Sequence, residues 1–181
     1  MSSSTYLYNL STFRSTIKKE RLRILWEIAD RFFDVGRELI RVSINNKTFE
    51  SFTGNSAASF TIGVYINGTL IGFENGQTYG YSPLMNKIRK GRKVFLKNPK
   101  EGRPRAVWGR VDVANETGPE TAAKFIASYT PKSNKGVSMV VAVGVEYWIY
   151  LASISNVNML QSAYDSTRSL LDKLVWRKIR K

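Results

Sequence analysis

From Lys18 to Ile44 the apolar residues return at steps of three and four: Leu22, Leu25, Ile28, Ala29, Phe32, Val35, Leu39 and Val42. An α-helix, at 3.6 residues per turn, gathers such positions on one face. Arg21, Arg23, Asp30, Arg31, Arg37 and Glu38 fall mostly outside that stripe. A helix this long with one apolar face must lie against another layer that hides it.

The rest of the chain supplies that layer. Asn45-Asn46-Lys47 ends the helix, and Thr53-Gly54-Asn55-Ser56 reads as a turn. Ala57 to Asn67 then alternates, with Phe60, Ile62, Val64 and Ile66 on one side. Asn67-Gly68 is the favoured pair for a two-residue type I′ hairpin, whose two central residues both need positive φ. Counting outward from it pairs Ile66 with Thr69, Val64 with Ile71 and Ile62 with Phe73, so both strands share one apolar face. Ala106 to Val113 reads as a further strand. Pro119 to Ser128, with Pro in its first turn, reads as a short helix. Val137 to Leu151 carries Val137, Met139, Val141, Val143 and Val145 on one side and Val140 and Ala142 on the other, the pattern of a central strand covered on both faces. From Met159, the residues Leu160, Ala163, Tyr164, Thr167, Leu170, Leu171 and Leu174 restore helical spacing, with Asn156 or Asn158 as the expected cap. The expectation is an α+β fold: one domain over residues 1–181, an antiparallel sheet packed with two long helices, and a long basic excursion inserted at about 75–135.

Charge marks that excursion. The chain has 28 Lys and Arg against 14 Asp and Glu, a formal net charge of +14. Ten basic residues and one acid, Glu101, lie between Lys87 and Arg110. A field of that sign attracts nucleic acid, an anionic membrane or an acidic protein surface. The candidate contacts with a polyanion or a partner chain are Lys87, Arg89, Lys90, Arg92, Lys93, Lys97, Arg103 and Arg105. Tyr79, Tyr81, Phe95 and Trp108 lie nearby; they suit base stacking, although burial is the commoner fate of such rings. Val94-Phe95-Leu96 is a local anchor, and the excursion is expected to meet other chains more than its own.

Catalysis finds little to work with. The sequence has no Cys and no His, which removes thiolate zinc sites, cysteine nucleophiles and the usual general base of a hydrolase triad. Asp112 and Glu116 could hold Mg²⁺, yet a nuclease asks for a third ligand or a catalytic Lys. No phosphate-loop or dinucleotide fingerprint occurs. No cofactor is expected, and the chain is not expected to be an enzyme. Residues 1–16 do not read as a signal peptide, and no apolar run approaches the ~20 residues of a membrane span.

Three segments together resemble the small tail-completion, or neck, proteins of tailed bacteriophages. Thr53-Gly54-Asn55 with Ser59 resembles their Thr-Gly-polar-x-x-x-Ser turn after the first helix. Val141-Ala142-Val143-Gly144-Val145-Glu146-Tyr147-Trp148-Ile149-Tyr150-Leu151 resembles their Val-Gly-Val…Tyr-x-x-Tyr strand, and Met159-Leu160-Gln161-Ser162-Ala163 resembles the Leu-x-x-Ala opening of their last helix. The likeness covers residues 18–74 and 137–178; residues 75–135 have no counterpart in a compact member. It implies a non-catalytic virion subunit, assembled in the host cytoplasm into a homo-oligomeric ring. Its partners would be copies of itself, the adjacent portal or connector and tail proteins, and DNA in the channel, with no membrane. The alternative reading of the charge is a non-catalytic nucleic-acid-binding accessory protein.

Overall fold

A computed structural model of the chain describes residues 3–47, 49–83, 90–109, 117–145 and 159–176. Helix α1 spans Ser3–Asn45. It thus begins fifteen residues before the stripe that predicts it. Among its described side chains the buried apolar ones lie in its second half: Leu25, Ala29, Val35, Leu39, Ile40 and Ile44. Gly36 lets the helix backbone reach the sheet, since a Cβ there would sit 2.2 Å from Ile62 Cδ1.

A short helix α2 (Asn55–Ala58) precedes strand β1 (Phe60–Ile66), so Ala57 and Ala58 are helical where the alternation suggested strand. Strand β2 (Thr69–Asn75) returns through the expected turn, with Asn67 at φ 50° and Gly68 at φ 82°. The register holds for Ile66 and Thr69 and then shifts. Tyr65 pairs with Leu70, but Val64 pairs with Gly72 and Ile62 with Glu74, leaving Ile71 as the extra residue of a β-bulge. Phe73 consequently opposes Gly63 and lies on the face away from Ile62, which corrects the shared-face expectation. The packing explains the slip. Gly72 sits under Phe33 of α1, where a Cβ would be 3.1 Å from the ring, while Ile71 still reaches the α1-side core.

Strand β5 (Val137–Val143) runs antiparallel to β1, giving the order β2-β1-β5. The centre is therefore β1, and the valine-rich segment lies beside it. All seven β1 residues are buried, whereas all seven of β5 are half-buried. The even positions of β1 meet α1. Its odd positions meet α3 (Gly118–Ser128): a Cβ on Gly63 would lie 2.4 Å from Ile126, and Tyr65 Oη donates to the Ile126 carbonyl at 2.6 Å. Helix α3 starts as predicted, with Pro119 in its first turn and a capping box between Thr117 and Glu120. Helix α4 (Met159–Trp176) packs along α1, with Leu160 against the core and Ala163 and Thr167 buried. The architecture is α+β: among the described residues, a three-stranded antiparallel sheet lies between α1 on one face and α3 on the other. Among the described residues no helix is long and apolar enough to cross a membrane. The expected caps Asn156 and Asn158, and residues 146–151 of the expected strand, lie outside the described residues.

The stretch 75–135 is not one excursion. Its first residues form a 3₁₀ turn (Gly76–Tyr79) against the body, where Tyr79 Oη donates to the Arg37 carbonyl at 2.7 Å. Its last residues include α3. Between these lie β3 (Lys93–Leu96) and β4 (Arg105–Trp108), an antiparallel two-stranded ribbon. The end joining the two strands folds back onto the segment after α1. Lys100 N donates to the Phe52 carbonyl at 2.9 Å, and Glu101 accepts from Ser51 N at 2.7 Å and from Lys47 Nζ. The Arg105 guanidinium lies 3.7 Å from the Phe52 ring centre. That end meets its own chain.

Candidate polyanion interface

Cross-strand partners share a face of a ribbon, so the β3–β4 register sorts its side chains. Lys93 opposes Trp108 and Phe95 opposes Ala106; on the other face Val94 opposes Val107 and Leu96 opposes Arg105. The second face holds the ribbon down through buried Leu96. The first is open: Phe95 is 61% exposed and Trp108 55%. Lys93 Nζ stands 5.3 Å from the centre of the Trp108 ring, a cation–π contact. Gly91 and Arg92 hydrogen-bond Gly109, which extends the ribbon beyond Trp108.

Of the predicted contacts, Lys90, Arg92, Lys93, Lys97, Arg103 and Arg105 are exposed on this unit, while Lys87 and Arg89 lie outside the described residues. Lys90, Arg92 and Lys93 cluster at the Trp108 end, and Lys97 follows the Phe95 strand. Arg105 belongs to the reverse face, where Phe52 and, at 3.9 Å, Glu50 occupy it. It serves the docking of the ribbon. The four nearby aromatics divide as well: Tyr79 and Tyr81 pack against the core, and Phe95 and Trp108 do not. Burial pushes the Tyr79 and Tyr65 phenols above their usual value, so both remain protonated donors near neutral pH.

Asp112 and Glu116 lie outside the described residues, and among the described ones no three potential metal ligands come together. Among the described residues, two open depressions are lined by residues of α1, one of them by Thr16, Ile17, Glu20, Arg21, Ile24 and Leu25. Troughs on one helix offer surface rather than an enclosed reaction site.

The motif Thr53-Gly54-Asn55…Ser59 has a structural duty. Gly54 takes φ 73° to start α2, and buried Asn55 accepts from Gly118 N at 2.7 Å, fastening α3. Gly144, from the Val-Gly-Val segment, meets the same point. A Cβ there would fall 1.9 Å from the Gly118 carbonyl oxygen, and one on Gly118 would fall 2.7 Å from Ser59 Cβ. Two segments far apart in sequence thus form one glycine-lined junction.

The feature that sequence reasoning missed is the first half of α1. Leu10, Phe13, Ile17 and Ile24 are exposed, Phe13 at 63%. Their steps of three, four and seven continue into half-buried Ile28 and buried Val35. The signal was present before Lys18, but Glu20 and Arg21 interrupt it. At 100° per residue, Arg14 and Arg21 flank one side of this stripe and Glu20 and Glu27 the other. Glu20 and Glu27 are shared with Arg23, which they hold above its ordinary pKa. Comparison of the chain with protein-family models, curated proteins and solved structures finds no match.

Proposed function

We propose that this chain is a non-catalytic structural subunit of a tailed-phage neck, a ring-forming tail-completion or head–tail joining protein of the virion. The observation that carries the reading is the α1 arm. Between Leu10 and Ile24, this helix of 43 residues, some 65 Å long at ~1.5 Å per residue, presents an exposed apolar line. Such a line is hidden by association. Its flanks, basic on one side and acidic on the other, suit a neighbouring copy, and head-to-tail contacts of that kind close into rings when the rotation permits. The junction of Asn55, Gly118 and Gly144 supports the likeness to neck proteins, because two of the three segments that carry it build one feature. Portal or connector and tail proteins are the partners that this reading implies.

The test is location. In tailed particles that contain a tagged form of this chain, imaging should find a ring of copies at the head–tail junction. Its absence from particles, together with a free monomer that binds DNA tightly, would favour the second reading, a nucleic-acid-binding accessory protein. The exposed Phe95 and Trp108 among lysines are the observation that speaks for that reading.

A further inference from the structure

We infer that the open face of the β3–β4 ribbon is a nucleic-acid-binding surface that takes unpaired bases on Phe95 and Trp108 and phosphates on the surrounding cations. Three observations converge. The two rings occupy diagonal positions on one face, a spacing of about 7–8 Å between strands that lets them receive neighbouring bases. Between Lys90 and Gly109 there are seven basic residues and one acid, and that acid, Glu101, is turned back onto Lys47 and Ser51. Within that stretch, the acid is thus directed away from the face that carries the rings. Finally, the reverse face already fixes the ribbon through Leu96 and Arg105, so Phe95 and Trp108 are not required to hold it.

These facts favour nucleic acid over an acidic protein. An acidic surface is held by cations, and uses exposed rings only where it also offers them an apolar pocket. A single strand needs both, since stacking on aromatic side chains and a cationic track are how such strands are held without sequence preference. A duplex keeps its bases stacked inside and offers the rings no face. The inference is independent of ring assembly: it requires only the ribbon.

The full-length protein would be titrated into a labelled strand of about twenty thymidines, its duplex, and polyglutamate, following anisotropy and tryptophan fluorescence. The single strand should bind tightest. Phe95→Ala and Trp108→Ala should each weaken it about tenfold or more, whereas Phe95→Tyr and Trp108→Phe should retain most of the affinity. The strand should quench wild-type fluorescence, and Trp108→Phe should lose that quenching although Trp26, Trp148 and Trp176 remain. The combined change of Lys90, Arg92, Lys93 and Lys97 to Gln should flatten the log–log salt slope by about 2–3, at about 0.7 per phosphate contact. Ring variants that bind like wild type, or polyglutamate and duplex bound as tightly as the strand, would overturn the inference; the polyglutamate result would point to an acidic protein partner. Should an alanine variant misfold, the quenching comparison decides the matter by itself.

Discussion

The junction around Gly118 and the arm of α1 are built in opposite ways. At the junction, Asn55, Ser59, Gly118 and Gly144 come from three separate stretches and leave no room for a single added carbon. Along the arm, Leu10, Phe13, Ile17 and Ile24 belong to one continuous helix and have open space around them. The first arrangement stores the fold in close backbone approach; the second leaves apolar area exposed, the surface that the proposed ring would bury. The ribbon combines both styles, anchored on one face and open on the other.

That contrast can be broken by mutation. The largest effect should come from Gly144→Val, whose Cβ would collide with the Gly118 carbonyl oxygen and with Ala122 N. A backbone clash of this kind should cost about 3 kcal/mol or more, visible as a fall in melting temperature of roughly 6–12 °C or failure to fold. Asn55→Ala removes the acceptor from a buried Gly118 N–H and should cost about 1–3 kcal/mol in a denaturant titration. Gly68→Val forces a β-branched residue to φ 82° and should cost about 1–2 kcal/mol, with the same titration as its measure. At the other extreme, Phe13→Glu with Ile17→Glu should move the melting temperature of the dilute protein by no more than about 2 °C. A large loss of stability from the arm, or none from Gly144, would erase the distinction between the two regions.

What the sequence disclosed follows the range of the forces involved. The second half of α1, the Asn67-Gly68 turn and the α3 start are local, resting on periodicity, positive φ and a Pro-led first turn, and each lies where expected, although α1 itself begins earlier, at Ser3. The bulge at Ile71 was hidden, because it answers to the Phe33 ring across thirty-eight positions of chain rather than to its own neighbours. The place of β5 beside β1 was hidden for the same reason: apolarity on both faces of a strand does not reveal how many strands flank it. Charge identified the ribbon, yet could not show that Arg105 turns to Phe52 or that Phe95 and Trp108 face outward while Tyr79 and Tyr81 turn in. The arm escaped because one turn of charged residues, Glu20 and Arg21, breaks its stripe.

The central claim is that this chain works as one of many identical subunits joined through the α1 arm. The most direct measurement is native mass, taken on the purified protein and on the particle fraction that contains it, for wild type and for the Phe13→Glu, Ile17→Glu variant. The account predicts a closed multiple of the 20.5 kDa subunit for wild type and its loss in the variant, whose body remains folded. A wild-type protein that stays a single 20.5 kDa species in both settings, or a variant that assembles unchanged, would contradict it.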